Sequence, residues 1–187
     1  MKVVAGLGNP GAEYDDTRHN VGWWVLDRLA YDWGFGFFEK EGESLRAKGT
    51  VGDISVLLLK PTTFMNRSGS ALVGLKVLSE FELASDLLIV VDDATLDPGR
   101  VRFRRGGGSG GHKGLRSVSS LLASESYARL RVGVGQAPQE EKLSDWVLSP
   151  MEGGDQDMVI KLLPELSGAV EVWIRKGIEE AMNQFNR

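Results

Sequence analysis

With 187 residues, 42% hydrophobic and 26% charged, the chain is long enough to bury a sizeable core, and a single domain over 1–187 is expected. It has no cysteine, which excludes disulfides, thiolate nucleophiles and cysteine-held zinc. The net charge of -4 argues at first against a polyanionic partner, but eight basic residues and a single acid, Glu125, lie between Gly99 and Arg131, against 14 basic and 25 acidic residues elsewhere. Attraction acts within a Debye length of ~10 Å and not through net charge, so this segregation suits a phosphate-binding face; a solvated strand face is the plainer alternative.

Lys2-Val3-Val4-Ala5 reads as a buried strand that leaves through Gly6-Leu7-Gly8-Asn9-Pro10-Gly11, followed by Tyr14 and by Thr17-Arg18-His19-Asn20. A glycine turn, two carboxamides and an imidazole at the carboxyl end of a strand are a natural place for chemistry. The bland alternatives are a helix-capping histidine and turn-forming asparagines. The opening residues carry no basic leader and no apolar run approaches the ~20 residues of a membrane span, so a soluble cytoplasmic protein is expected. Val21, Trp24, Val25 and Leu29 recur at helical spacing and Gly34 is placed to end that helix. Ser44–Val51 and Ile54–Lys60 flank Gly52-Asp53 as a hairpin. The second strand leaves through Lys60-Pro61-Thr62-Thr63-Phe64-Met65-Asn66, again a carboxamide beside apolar residues at a strand exit.

A helix with a broad apolar face is predicted over 70–81, from Leu72, Val73, Leu75, Val77 and Leu78. Leu87–Val91 is the most strand-like run and ends in Asp92-Asp93, two carboxylates that need partners if buried. Val101 and Phe103 alternate with Arg100, Arg102 and Arg104 as a strand with one basic face, and the strand at 129–135 adds Arg129 and Arg131 to it. The glycine-rich run from Gly106 to Gly114 precedes a helix with Leu115, Val118, Leu121 and Leu122 facing inward, so its N–H groups and the helix start are expected to face an anion. Lys142–Met151 reads as a loop or short element and is a candidate mobile lid. Two terminal helices follow over 155–176 and 178–185, the first kinked or split at Pro164. The interleaving predicts an α/β fold, a mixed and mostly parallel sheet with helices on both faces.

Two glycine motifs mislead. Gly6, Gly8 and Gly11 satisfy G-x-G-x-x-G, but Pro10 removes a donor and the helical pattern begins only at Asn20, which excludes a dinucleotide turn. The second run fails as a P-loop because no Ser or Thr follows Lys113.

The motifs around Asn9, His19, Asn66, Asp92 with Pro98-Gly99, and Gly110-Gly111-His112 with Gly114-Leu115, in this order and spacing, resemble the bacterial peptidyl-tRNA hydrolases. The resemblance implies hydrolysis of the ester joining a peptide to the 3′-terminal ribose of tRNA, with His19 as catalytic imidazole, Asp92 as its carboxylate partner, and Asn9 and Asn66 lining the site. Tyr14, Asn20, Phe64, Met65 and His112 would shape the channel, and Arg102, Arg104 and Arg131 would grip tRNA phosphate. Lys113 stands where many members carry Asn, and would bind a phosphate instead; Thr95 stands where an acid is frequent. Water is the simplest nucleophile, activated by His19, with Asn9 or Asn66 stabilising the oxyanion. No metal or cofactor is required, and a monomer is expected. The rival readings are a non-catalytic RNA-binding member of the fold, as in plastid intron-splicing relatives, and an esterase for a small ester.

Overall fold

The computed structural model describes residues 1–186. Seven strands, β1 (Lys2–Gly6), β2 (Glu39–Glu41), β3 (Ser44–Val51), β4 (Ile54–Pro61), β5 (Leu87–Asp93), β6 (Val101–Arg104) and β7 (Ala128–Gly133), form one sheet in the order β2-β3-β4-β1-β5-β7-β6. The central strands β4, β1, β5 and β7 run parallel, while β3 and β6 pair antiparallel to their neighbours. The helices are α1 (Val21–Trp33), α2 (Leu83–Asp86), α3 (Lys113–Leu122), α4 (Leu143–Val147), α5 (Gly153–Lys176) and α6 (Ile178–Phe185), with a 3₁₀ segment over Met65–Val77.

Strand alternation divides the core in two. Val4, Leu58, Leu88 and Val90 face α1 and α5, where Trp173 is buried; Val3, Ala5, Leu59, Ile89 and Val91 face the 3₁₀ segment and α3. A strand buried on both faces must be apolar throughout, which is why β5 and β1 were the clearest runs in the sequence. The predicted mixed sheet covered on both faces is the fold observed.

Several local expectations change. The helix predicted over 70–81 begins earlier and is a 3₁₀ segment: Ser68 Oγ and Ser70 Oγ donate to the carbonyls of Met65 and Arg67, three residues back, drawing the turn tight. Only Leu72 and Leu75 of its apolar set are buried; Val73, Val77 and Leu78 are exposed. Leu121 likewise faces outward. Helix α5 runs through Pro164 without being split, so the missing N–H is tolerated within one helix.

Helix α1 approaches the sheet at Gly22. A Cβ there would lie 2.5 Å from the Leu7 carbonyl oxygen and 2.7 Å from that of Val90, both backbone atoms that cannot yield. Gly22→Ala should therefore cost about 1–3 kcal/mol of stability by overpacking, seen as a lower urea midpoint at unchanged slope. The same close approach delivers His19 and Asn20, just ahead of α1, to the end of the sheet.

Candidate active site

Because β1, β4, β5 and β7 are parallel, the residues that follow them emerge on one side of the sheet. There they surround a cleft of about 460 Å³. Its walls include Asn9, Tyr14 and His19 from the first loops, Phe64, Met65 and Asn66 after β4, Asp92, Asp93 and Thr95 after β5, His112 and Lys113 after the glycine loop, and Arg131 of β7. Leu143, Val147 and Leu148 close it from α4.

Asp92 is buried and its Oδ1 accepts from two rings: His19 Nδ1 at 2.7 Å and His112 Nε2 at 2.9 Å. Alternation selects Asp92 for this, since it shares the α1 face of β5 with Leu88 and Val90. The remaining nitrogen of His112, Nδ1, accepts from the backbone N–H groups of Gly114 and Leu115 at 3.1 and 3.2 Å, so it carries no proton and Nε2 is the donor. The ring thus caps α3 and holds Asp92 at once. His19 must donate from Nδ1, which leaves its Nε2 as the unprotonated nitrogen, with no protein partner among the described residues. Burial alone would raise the Asp92 carboxyl, but the two imidazoles, through charge and hydrogen bonds, override it and hold it well below the usual carboxylate range.

One ligating atom each from His19, Asp92 and His112 lie within 4.8 Å of one another, a spacing that reaches metal-binding distances. The chemistry of the donors opposes it. A metal on His112 Nε2 requires the ring proton on Nδ1, the atom at which two backbone N–H groups already point. The cluster is arranged for protons.

Asn9 is held by three bonds. Its N–H donates to Asn20 Oδ1 at 2.8 Å, its carbonyl accepts from Asn20 Nδ2 at 2.9 Å, and its own Oδ1 accepts from the Met65 N–H at 2.7 Å. The last bond settles which way the carboxamide lies: Nδ2, a donor, is left without a protein acceptor among the described residues, beside the cleft. Asn20, expected to shape the channel, does not line it; it is fully buried and serves as the clamp on Asn9. Asn66 is exposed at the cleft wall.

The basic residues divide as well. Arg131 lines the cleft, with Nε 3.0 Å from Asp93 Oδ2, and stands in register with Arg102 of the edge strand β6. Arg102 and Arg104 lie outside the cleft on the same sheet face, half-buried and exposed. Arg129, expected beside them, is buried: its Nη1 donates to the Gly108 carbonyl at 2.7 Å and its guanidinium covers Tyr127, bracing the glycine loop. Nor does that loop present the start of α3 to an anion, since the N–H groups of Gly114 and Leu115 are taken by His112.

Within Thr17-Arg18-His19-Asn20 the sequence gives Arg18 no role of its own. Its guanidinium stacks on Trp146 of α4 at 3.4 Å and donates to Ser149 Oγ and the Pro150 carbonyl, so the residue next to His19 fastens the far end of the α4 segment. The segment read as a lid is thus tied at one end.

Residues 3–187 match the family model described as peptidyl-tRNA hydrolase. The chain is 40% identical over 190 residues to the peptidyl-tRNA hydrolase of Gemmatimonas aurantiaca, covering all of both chains. It is 44% identical over 188 residues to that of an Anaeromyxobacter species, covering all of this chain and 97% of the relative. The crystal structure of the peptidyl-tRNA hydrolase from Acinetobacter baumannii superposes with a TM-score of 0.91 at 32% identity, covering all of this chain and 94% of that one. Fold and sequence agree, and the chain belongs to the peptidyl-tRNA hydrolase family.

Proposed function

We propose that the protein hydrolyses the ester between a peptide and the 3′-terminal ribose of tRNA, returning tRNA lost from translation with its peptide attached. The observation that carries this reading is the His19–Asp92 pair at 2.7 Å, facing a cleft into which an accessible Nε2 and the Asn9 carboxamide both look. In this mechanism His19 Nε2 takes a proton from water as the water attacks the ester carbonyl. Asp92 keeps the ring in the reactive tautomer and favours the imidazolium that forms. Asn9 Nδ2 donates to the oxyanion; its orientation, set by the Met65 N–H, supports Asn9 over Asn66 for this task. His19 then returns the proton to the leaving ribose oxygen. His112 acts through Asp92, holding the carboxylate in place. The steps need neither metal nor cofactor.

The tRNA body lies, in this reading, across Arg131, Arg102 and Arg104, which share one sheet face. Tyr14, Phe64, Met65 and the apolar residues of α4 take the peptide. The chain is proposed to act as a cytoplasmic monomer and as one domain over 1–187; among the described residues no helix is long and apolar enough to cross a membrane.

The test is release of the peptide from N-acetylaminoacyl-tRNA by the purified protein, with deacylated tRNA as competitor. Hydrolysis that deacylated tRNA does not inhibit would point to a small ester instead, and tRNA binding without hydrolysis to an RNA-binding protein. Arg104→Ala should weaken binding and reduce the slope of log K against log salt by about 0.9, the loss of one phosphate contact. An unchanged slope would remove β6 from the interface.

A further inference from the structure

The two edges of the sheet are finished differently. Strand β2 is three exposed charged residues, Glu39-Lys40-Glu41, and an edge so short and charged resists pairing by itself. Strand β6, at the opposite edge, carries Arg102 and Arg104 and is backed by α6. Gly177, at φ +85°, turns the chain from α5 into that helix. The ring of Phe185 stands 6.4 Å from that of Phe103, centroid to centroid, and Glu179 pairs with Arg105.

The residue that follows α6 reaches the strand itself. Asn186 Oδ1 accepts from the Phe103 N–H at 2.6 Å, and Asn186 Nδ2 donates to the Phe103 carbonyl at 3.0 Å. One carboxamide thus makes the pair of bonds that a neighbouring strand would make. Pairing explains why Phe103 is the residue held. The Gly133 N–H donates to the Arg100 carbonyl, and bonded pairs alternate along an antiparallel ladder, so the backbone groups of Arg102 and Arg104 face Arg131 and Arg129 of β7 while those of Phe103 point outward. Side chains alternate as well: Phe103 is buried in the core with Ala181 of α6, and Arg102 and Arg104 stand on the other face. Fixing Phe103 by its ring and by its outer backbone edge therefore fixes the two arginines on either side of it. An edge strand has a neighbouring strand on one side only, and holding it beforehand lowers the ordering cost of binding.

We infer that Asn186 is a positioning residue for tRNA, holding the backbone of β6 so that Arg102 and Arg104 meet phosphates in a preset arrangement. It touches no substrate and acts through those arginines. The inference rests on the proposed hydrolase activity and on the place of β6 in it.

The test is a double-mutant cycle read with two substrates, N-acetylaminoacyl-tRNA and the N-acetylaminoacyl ester of adenosine, which offers β6 no phosphate. Asn186→Ala should lower the tRNA-to-adenosine ratio of kcat/KM by ~3–10-fold, the scale of one hydrogen bond's net contribution, and should do so through KM and not kcat. In a chain that already carries Arg102→Ala and Arg104→Ala, the same substitution should no longer move the ratio. A general loss of folded protein would lower both substrates together and leave the ratio where it was. Asn186→Gln, which sets the same carboxamide one methylene further out, carries the cycle if the alanine variant does not fold. A ratio that the substitution does not move, or that it moves equally without the two arginines, would overturn the positioning role alone. Failure of the folded wild type to hydrolyse either substrate would overturn the functional reading, and this assignment with it.

Discussion

His19→Ala should reduce turnover of N-acetylaminoacyl-tRNA by ~10²–10⁴-fold, the range a positioned general base supplies, with tRNA binding retained. Two facts make His19 the group to remove. It has the one ring nitrogen at the cleft that is neither hydrogen-bonded to protein nor protonated, whereas both nitrogens of His112 are engaged. It also lines the same cleft as the Asn9 carboxamide, so attack and charge stabilisation are expected to meet at one carbonyl. Single-turnover rates beside filter binding separate the step from the grip. Turnover close to wild type would exclude His19 as the base.

Asp92→Asn is the second large change. In an isolated His–Asp pair the amide can flip the ring into the wrong tautomer, at a cost of ~10⁴ in rate. Here both donors converge on Oδ1 alone, so an amide oxygen can take that place and keep the tautomer. What is lost is the charge that stabilises the imidazolium, and a smaller loss of roughly 10²-fold is expected. Stability should respond in a pH-dependent way. The Asp92 carboxyl lies below its unfolded value of about 3.9, so its ionised form contributes stability that is fully present above that value and is lost as pH falls below it. The variant, without this carboxyl, should be less stable than wild type at neutral pH, with the gap closing below about pH 4. Urea unfolding at stepped pH reads this; a gap constant with pH would show that Asp92 does not contribute through its charge.

The backbone of the site was legible because parallel buried strands announce themselves as apolar runs and place the residues that follow them side by side. Asn9, Asn66 and the pair Asp92-Asp93 were found in this way; the family resemblance chose Asp92 of the two, and the alternation along β5 in the structure separates it from Asp93. His112 was placed at the channel and not on Asp92, because histidine is not a usual helix cap and its bond to Asp92 spans 20 positions. Asn20 read as a channel residue because the sequence cannot tell a buried clamp from an exposed contact. Leu72 and Leu75, three apart, fit a 3₁₀ turn as well as an α-helix, so the tighter segment was hidden in its own pattern. Arg129 has the same parity as Arg131, yet the glycine loop folds over one and not the other, a long-range event without a local signature.

The placement of Asn9 directly before Pro10 bears on how the protein ages. Asparagine loses ammonia when the backbone nitrogen of the next residue closes a five-membered imide ring upon its side chain, and proline offers no N–H for that closure. The carboxamide at position 9 is therefore chemically durable, while Asn66, exposed and followed by Arg67, has no such protection. Where a single spontaneous hydrolysis would turn the proposed oxyanion donor into a repelling carboxylate, the chain has the one successor residue that blocks the route.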